Sequence, residues 1–386
     1  MKKNLLIGLA ALAAVTITSC QKDQVINQIP QEQAIEFGTY VGRDAQTKGS
    51  VTDITTLCGN TKGFGVFAYY TGTSDYTSTS TPNFMYNQRV YGTASGDPTP
   101  TYTWTYSPIK YWPNNTGDKI SFFAYAPYDS ELNFTSNPGD PKVNINVATD
   151  VTNHVDFTYA TDENGTTNNL LNQTKQSTTG NIKFHFQHAM SKVGFKVEAL
   201  IDQVNSELDG KTPDTDEEDP NEIAIADGTT ISVESVSLIG SFINSGTLNL
   251  NGGTWDGLST PAVRTYTLNS TNSDFEDIAS AVTVDPNQLN KSTEFIMLIP
   301  QDDVDITISV TYKVTTIDSN FDELPENGKV VVTNTMSAPL NDFDFKQGTA
   351  YNFVLHLGLT SVKFDAEVEE WTETNSDVVV NVPKNN

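Results

Sequence analysis

The chain has 386 residues and a formal net charge of -26 at pH 7. Its length favours roughly two domains of about 150 to 200 residues each, and so acidic a surface excludes nucleic acid as a partner, because it repels phosphates instead of releasing their counterions. Only 18% of residues are charged, and the abundance of Thr, Ser, Asn, Gly, Tyr and Val suits half-buried strands and polar turns, so an all-β fold is expected.

The chain opens with Lys2 and Lys3, followed by an apolar stretch from Leu5 to Ile17 that is too short to span a bilayer. It ends in Ile17-Thr18-Ser19-Cys20, which resembles the lipobox of bacterial lipoproteins, where small residues admit the peptidase and the Cys20 thiol receives lipid. Residues 1–19 therefore read as a lipoprotein signal peptide. Gln21-Lys22-Asp23 resembles the short tags that send such lipoproteins to the outer face of the outer membrane. With Cys20 acylated, Cys58 has no partner within the chain, so it reads as a small buried or loop residue and stability must come from cores. Residues 20–33, polar and containing Pro30, read as a lipidated tether.

Ile35, Phe37 and Val41 then put an apolar set on one face of a first strand. Residues 42–50 interrupt with loop chemistry. Further alternating rows follow at Phe64–Tyr70, Tyr102–Tyr106, Ile120–Ala126, Val143–Val147 and Val155–Tyr159. The polar run at 161–180 ends a first β-sandwich domain over 34–180. A second, over 181–386, is expected from Phe184 and Phe186, Val193–Val197, Ile231 and Val233 with Val236 and Leu238, Phe295–Ile299, Val304–Val314, Tyr351–Leu359 and Val362–Val368. Strands of this kind have one wet and one buried face.

Catalytic signals are weak. His185 and His188 lie three apart on a predicted strand and face opposite ways, so they do not chelate one ion; they read, like His154 and His356, as structural. No nucleophile elbow, zinc-binding histidine pair or phosphate loop occurs. The acidic run at 214–219 lacks the spaced glycine and terminal carboxylate of calcium loops and reads as a solvated insertion. Tyr69, Tyr70, Tyr111 and Trp112 are candidates for a sugar-stacking platform, with packing the favoured reading. The chain is expected to be no enzyme and to need no metal or cofactor; a hydrolase would require paired carboxylates that no spacing nominates.

The sequence is similar to the fimbrillins, lipoprotein precursors that build type V pili. The residues carrying the resemblance are the lipobox at Cys20, Phe84-Met85-Tyr86-Asn87, the stretches 106–113 and 121–127, Phe186-Gln187-His188-Ala189-Met190-Ser191-Lys192-Val193, and the closing run from Val362 to Trp371. The resemblance implies two tandem transthyretin-like sandwiches. It also implies a trypsin-like or arginine-specific protease that removes the lipid and first strand, and replacement of that strand by one from another pilus subunit. The removable strand would be that of Ile35, Phe37 and Val41. Of three arginines, Arg43, Arg89 and Arg264, only Arg43 lies in a predicted loop between tether and domain body; Lys48 in the same loop is the alternative cut site. The candidate donor is Val378, Val380 and Val382, with a simple closing strand as the equal alternative. The expected function is a structural or accessory subunit of an adhesive surface pilus, anchored through lipid in the outer membrane before processing. The alternative is a monomeric surface glycan-binding lipoprotein.

Overall fold

The computed structural model describes residues 33–40, 52, 57–58, 62–96, 101–135, 138–175, 180–199, 228–269, 290–291, 294–317, 329–357, 362–370 and 378–380. They hold twenty-one strands, numbered in chain order, and two short 3-10 turns at Val151–Asn153 and Asn168–Leu170. The all-β class expected from composition is the observed one.

Seven strands form one sheet in the order β1 (Phe37–Tyr40), β9 (Ile182–His188), β8 (Thr158–Thr161), β5 (Lys119–Ala126), β2 (Phe64–Gly72), β3 (Met85–Ser95) and β4 (Thr101–Thr105). Every pairing is antiparallel except that of β1 with β9, which is parallel. Ile120, Phe122, Ala124 and Ala126 share one face with Phe64, Val66, Ala68, Phe184 and Phe186, as their alternation predicts. The opposite face is not wet. Phe67, Tyr69, Phe123 and Tyr125 are buried there against Val143, Ile145, Leu248 and Leu250.

A small sheet covers that second face: β13 (Trp255–Asp256), β12 (Ser245–Asn249), β7 (Lys142–Asn146) and β6 (Phe134–Thr135). A strand covered on both sides needs apolar side chains at both parities, which is how β2 and β5 read. Residues on each side of the boundary expected at 180 share sheets. β12 pairs with β7, and β9 pairs with both β8 and β1. The first sheet thus runs to His188, because its edge needs β9 to seat β1.

Ala189 and Met190 carry the chain from β9 into β10 (Ser191–Ala199), which belongs to a different sheet. That sheet has the order β15 (Asn290–Lys291), β10, β19 (Thr349–Leu357), β20 (Val362–Glu370) and β21 (Val378–Val380), with β16 (Ile296–Leu298) also on β10. It faces β14 (Ala262–Asn269), β11 (Gly228–Phe242), β17 (Gln301–Ile317) and β18 (Lys329–Phe345) across one apolar core. Val236, Leu238, Tyr266, Ile308, Val310 and Tyr312 meet Val193, Phe195, Ile296, Leu298, Phe353 and Leu355 there. Val233 and Val236 are both buried although three apart. A bulge between Val233 and Ser235 resets the period-two phase of β11.

Candidate functional site

Residues 33–40 join two edges of the seven-stranded sheet. Phe37, Gly38, Thr39 and Tyr40 run parallel to Ile182, Lys183, Phe184 and His185 of β9. Just upstream, Ala34 bridges antiparallel to Tyr111. The Ile35 N–H donates to the Lys110 carbonyl at 2.9 Å and the Trp112 N–H to the Gln33 carbonyl at 2.9 Å. Residues 110–112 follow β4, the far strand of the same sheet. The segment is therefore held by backbone on both flanks.

Between those flanks the side chains of Ile35 and Phe37 enter the core, only 1% and 3% exposed, while Glu36 faces out. The Phe37 ring stacks on Phe184 at 5.5 Å and meets Tyr106, Phe122 and Phe64 at 5.3, 6.0 and 6.4 Å. The Tyr106 hydroxyl donates to the Ile35 carbonyl at 2.9 Å, and burial pushes its pKa up, keeping the phenol a donor. The Ile182 N–H donates to the Glu36 carbonyl at 2.8 Å, and Asn181 Nδ2 to that of Phe37 at 3.3 Å. Burying two large apolar side chains contributes about 1.5 to 3 kcal/mol each, and each net hydrogen bond about 0.5 to 1.5 kcal/mol. One contact is imperfect: the Thr39 hydroxyl is buried with no partner.

Downstream of β1 the chain is fixed again at Thr52. Its N–H donates to Asp156 Oδ2 at 2.8 Å and its hydroxyl to the Asp156 carbonyl at 2.6 Å. The same carboxylate oxygen lies 2.9 Å from His188 Nδ1. Asp156 is fully buried and Thr52 nearly so. Tyr40 pairs with His185 and Thr52 is tied, through Asp156, to His188, so both ends of the 41–51 stretch are fixed along β9. That stretch contains Arg43 and Lys48.

Cys20, Val41, Arg43, Lys48, Val382 and the acidic run at 214–219 lie outside the described residues. Val378 and Val380 sit in β21, whose three residues pair with Ala366–Val368 on β20 at the edge of their own sheet. The other arginines are on strands: Arg89 on β3, its Nε donating to the Lys62 carbonyl at 2.9 Å, and Arg264 on β14. Cys58 is half-buried beside Gly92 and Trp104, and burial raises its thiol pKa. The sugar-platform candidates separate. Tyr69 and Trp112 are buried, at 0% and 3% exposure, and Tyr70 is half-buried with its hydroxyl donating to Asp118 Oδ2 at 2.9 Å. Only Tyr111 is well exposed.

His154 is a structural residue: Met297 N–H donates to its Nδ1 at 3.0 Å and its Nε2 lies 2.9 Å from the Ala148 carbonyl. Among the described residues no group of three or more His, Cys, Asp or Glu side chains is placed to hold a metal ion. The groove itself offers aromatic surface flanked by peptide groups, a site suited to holding an extended chain. Sequence reasoning missed Tyr106, Thr52 and Asp156, because a phenol, a threonine and an aspartate at those separations carry no local pattern.

A family model described as fimbrillin-like matches residues 51–371. A curated relative, fimbrium subunit Fim1C of Phocaeicola vulgatus, is 26% identical over 415 aligned positions, covering 97% of this chain and 98% of that protein. Among solved structures, a fimbrial protein from Bacteroides vulgatus superposes with a TM-score of 0.61 at 21% identity, covering 88% of this chain and all of that one, which is a likeness of fold.

Proposed function

We propose, from the premise that this chain belongs to the fimbrillin-like family, that it is a structural or accessory subunit of an adhesive surface fimbria. In this reading it reaches the outer membrane as a lipoprotein acylated at Cys20. A trypsin-like or arginine-specific protease cuts after Arg43, or after Lys48, and a strand from another subunit takes the place of residues 33–41. The whole-length likeness to fimbrium subunit Fim1C supports the assignment. The single observation that carries it is the seating of Ile35 and Phe37, buried in a slot bounded by β9 on one side and residues 110–112 on the other.

The physics favours a two-stage device. While the segment is attached, its effective concentration at the slot exceeds that of any second molecule, so the chain fills its own groove. Cutting between Tyr40 and Thr52 removes that advantage. The Thr52 contacts to Asp156 keep the remaining chain anchored beside β9. An incoming strand then gains main-chain bonds on both flanks and an aromatic pocket for alternate side chains. The C-terminal row of Val378, Val380 and Val382 is the proposed donor, which requires β21 to leave β20, a pairing of three register positions.

Brief trypsin treatment of the folded chain tests this reading. The expected result is a large fragment beginning at Asp44 or Gly49 that forms ladders of oligomers on standing. A folded chain cut at Arg43 that stays monomeric with residues 33–40 irreversibly bound would defeat it. The glycan-binding alternative loses two of its four stacking candidates, Tyr69 and Trp112, to the core.

A further inference from the structure

The sheet β14-β11-β17-β18 ends in a strand of seventeen residues, β18, and no described strand pairs with its outer side. Long open edges are aggregation-prone, and soluble proteins usually blunt them with charge, proline, brevity or bulges; β18 has one such proline, Pro339, near its C-terminal end. β18 carries no charged residue from Val330 to Asn341. Val330, Val331 and Val332 are 59%, 47% and 50% exposed. In a chain of net charge -26, two copies can approach with least repulsion along such a neutral strip.

We propose that the open edge of β18 is a self-pairing surface, on which the β18 of a second copy of this chain adds antiparallel to make one continuous sheet. The ends of the strand are complementary: Lys329 opens it, and Asp342 and Asp344 close it. An antiparallel copy brings the lysine end of each strand to the aspartate end of the other, twice.

Pro339 indicates which residues of β18 face the open side. It has no N–H to give and sits opposite Thr307 of β17. Proline is tolerated in an edge strand where the missing donor faces away from the ladder. The residues of its parity, Val331, Thr333, Thr335 and Ser337, then direct their backbone groups to the open side. Setting Thr335 opposite Thr335 of the second copy pairs Thr333 with Ser337 and satisfies their backbone groups, while Val331 falls opposite Pro339, where the Val331 N–H finds the Pro339 carbonyl and the Val331 carbonyl at each end of the joint stays with water.

The outer face continues across the same joint. Thr267, Ser237, Ser309 and Ser337 form one hydroxyl row over the four strands, and Asn269, Ser235, Thr311 and Thr335 the next. Neighbours in these rows already bond: Ser237 to Thr267 at 2.9 Å, Ser337 to Ser309 at 3.0 Å and Thr311 to Thr335 at 3.0 Å. A Thr335 pair across the two-fold axis extends these two uncharged hydroxyl rows and buries no charge, the Lys313–Glu234 ion pair lying partly exposed in the next row. This surface is separate from the groove at residues 33–40 and needs no cleavage.

Sedimentation equilibrium of the purified, uncut full chain tests it. The wild-type chain associates to a dimer. Thr335→Glu and Thr335→Lys each set like charges face to face and weaken the dimer by about tenfold or more, and an equimolar mixture of the two recovers it. Val263→Glu, on β14 at the other edge of the sheet where the side chain is 77% exposed, leaves it unchanged. A wild-type chain monomeric at high micromolar concentration overturns the proposal. So do folded Thr335 variants that dimerise normally, a mixture that does not recover, or loss of the dimer in Val263→Glu. Should the charge variants misfold, Thr335→Cys in a Cys20→Ser, Cys58→Ser background decides: opposed residues in an antiparallel pair lie about 5.5 Å apart at Cα, within disulfide reach. Oxidation should yield a covalent dimer that the cysteine-free parent does not form, and its absence overturns the proposal equally.

Discussion

The Tyr106 hydroxyl and the Ile35 carbonyl lie 2.9 Å apart, and the same hydroxyl accepts the Lys110 N–H at 3.2 Å. One phenol thus ties the N-terminal segment to the stretch that lines its slot. Tyr106→Phe removes the donor while keeping the ring against Phe37. We expect the uncut chain to lose about 1 to 3 kcal/mol, the cost of leaving a buried carbonyl without its partner. Urea denaturation of chains with and without residues 1–43 checks this: the loss should be larger in the uncut form, and equal losses would mean that Tyr106 does not act on the segment.

Thr39→Val tests the opposite sign. The Thr39 hydroxyl is buried without a partner, so an isosteric apolar replacement should stabilise the attached strand by up to about 1 kcal/mol. Slower displacement of residues 33–40 after cleavage, followed by mass spectrometry, is the corresponding readout.

Asp156→Ala should behave differently from both. It removes the acceptor of the Thr52 N–H and the partner of His188 from a site with no exposure. The expected loss is about 2 to 4 kcal/mol in cut and uncut chains alike, because buried groups lose a charged acceptor. A loss confined to the uncut form would show that the anchor serves only the removable strand.

His154 gives the fold a pH dependence. Burial holds its pKa below the ordinary histidine value, and its Nδ1 must stay unprotonated to accept from Met297. The unfolded chain titrates near pH 6.5, so this contribution is complete above that pH. As pH falls below it, the unfolded state takes up a proton that the folded state refuses, and stability declines by up to about 1.4 kcal/mol per pH unit until the folded pKa is reached. Urea melts between pH 7.5 and 5.5 should show this slope, and His154→Gln should flatten it.

Much of the fold was legible because period-two alternation survives wherever one face is buried. The rows Val304–Val314 and Tyr351–Leu355 lie in β17 and β19, with their apolar residues in the core. The second apolar parity of β2 and β5, Phe67 with Tyr69 and Phe123 with Tyr125, was visible but was not read as a second covered face. What covers it, β7 with β12, is joined from residues about a hundred positions apart, and no local pattern announces such a pairing. The same holds for the site. Ile35 and Phe37 stand out by alternation, whereas Tyr106, Thr52 and Asp156 act through separations of 71 and 104 positions. β18 was missed because its core-facing set, Asn334, Met336, Ala338 and Leu340, is too mixed to read as an apolar row.

The role of the C-terminal strand follows from truncation. Removing residues 378–386 should leave a chain that folds and accepts a strand, since β21 occupies only an edge, but that no longer supplies one. Cleaved, truncated chains should then stop at short assemblies, measured by native electrophoresis. Undiminished ladders would move the donor role elsewhere.

The central claim is that the slot holding Ile35 and Phe37 can be emptied and filled again by another extended chain. The most direct measurement is fluorescence anisotropy of labelled peptides spanning residues 32–41 and 376–384, added to the cleaved chain from which the first strand has been stripped. The account predicts saturable binding of both, mutual competition, and weakened affinity in Tyr106→Phe. If neither peptide binds, and the stripped chain melts at the temperature of the intact one, the slot is not an exchangeable strand site.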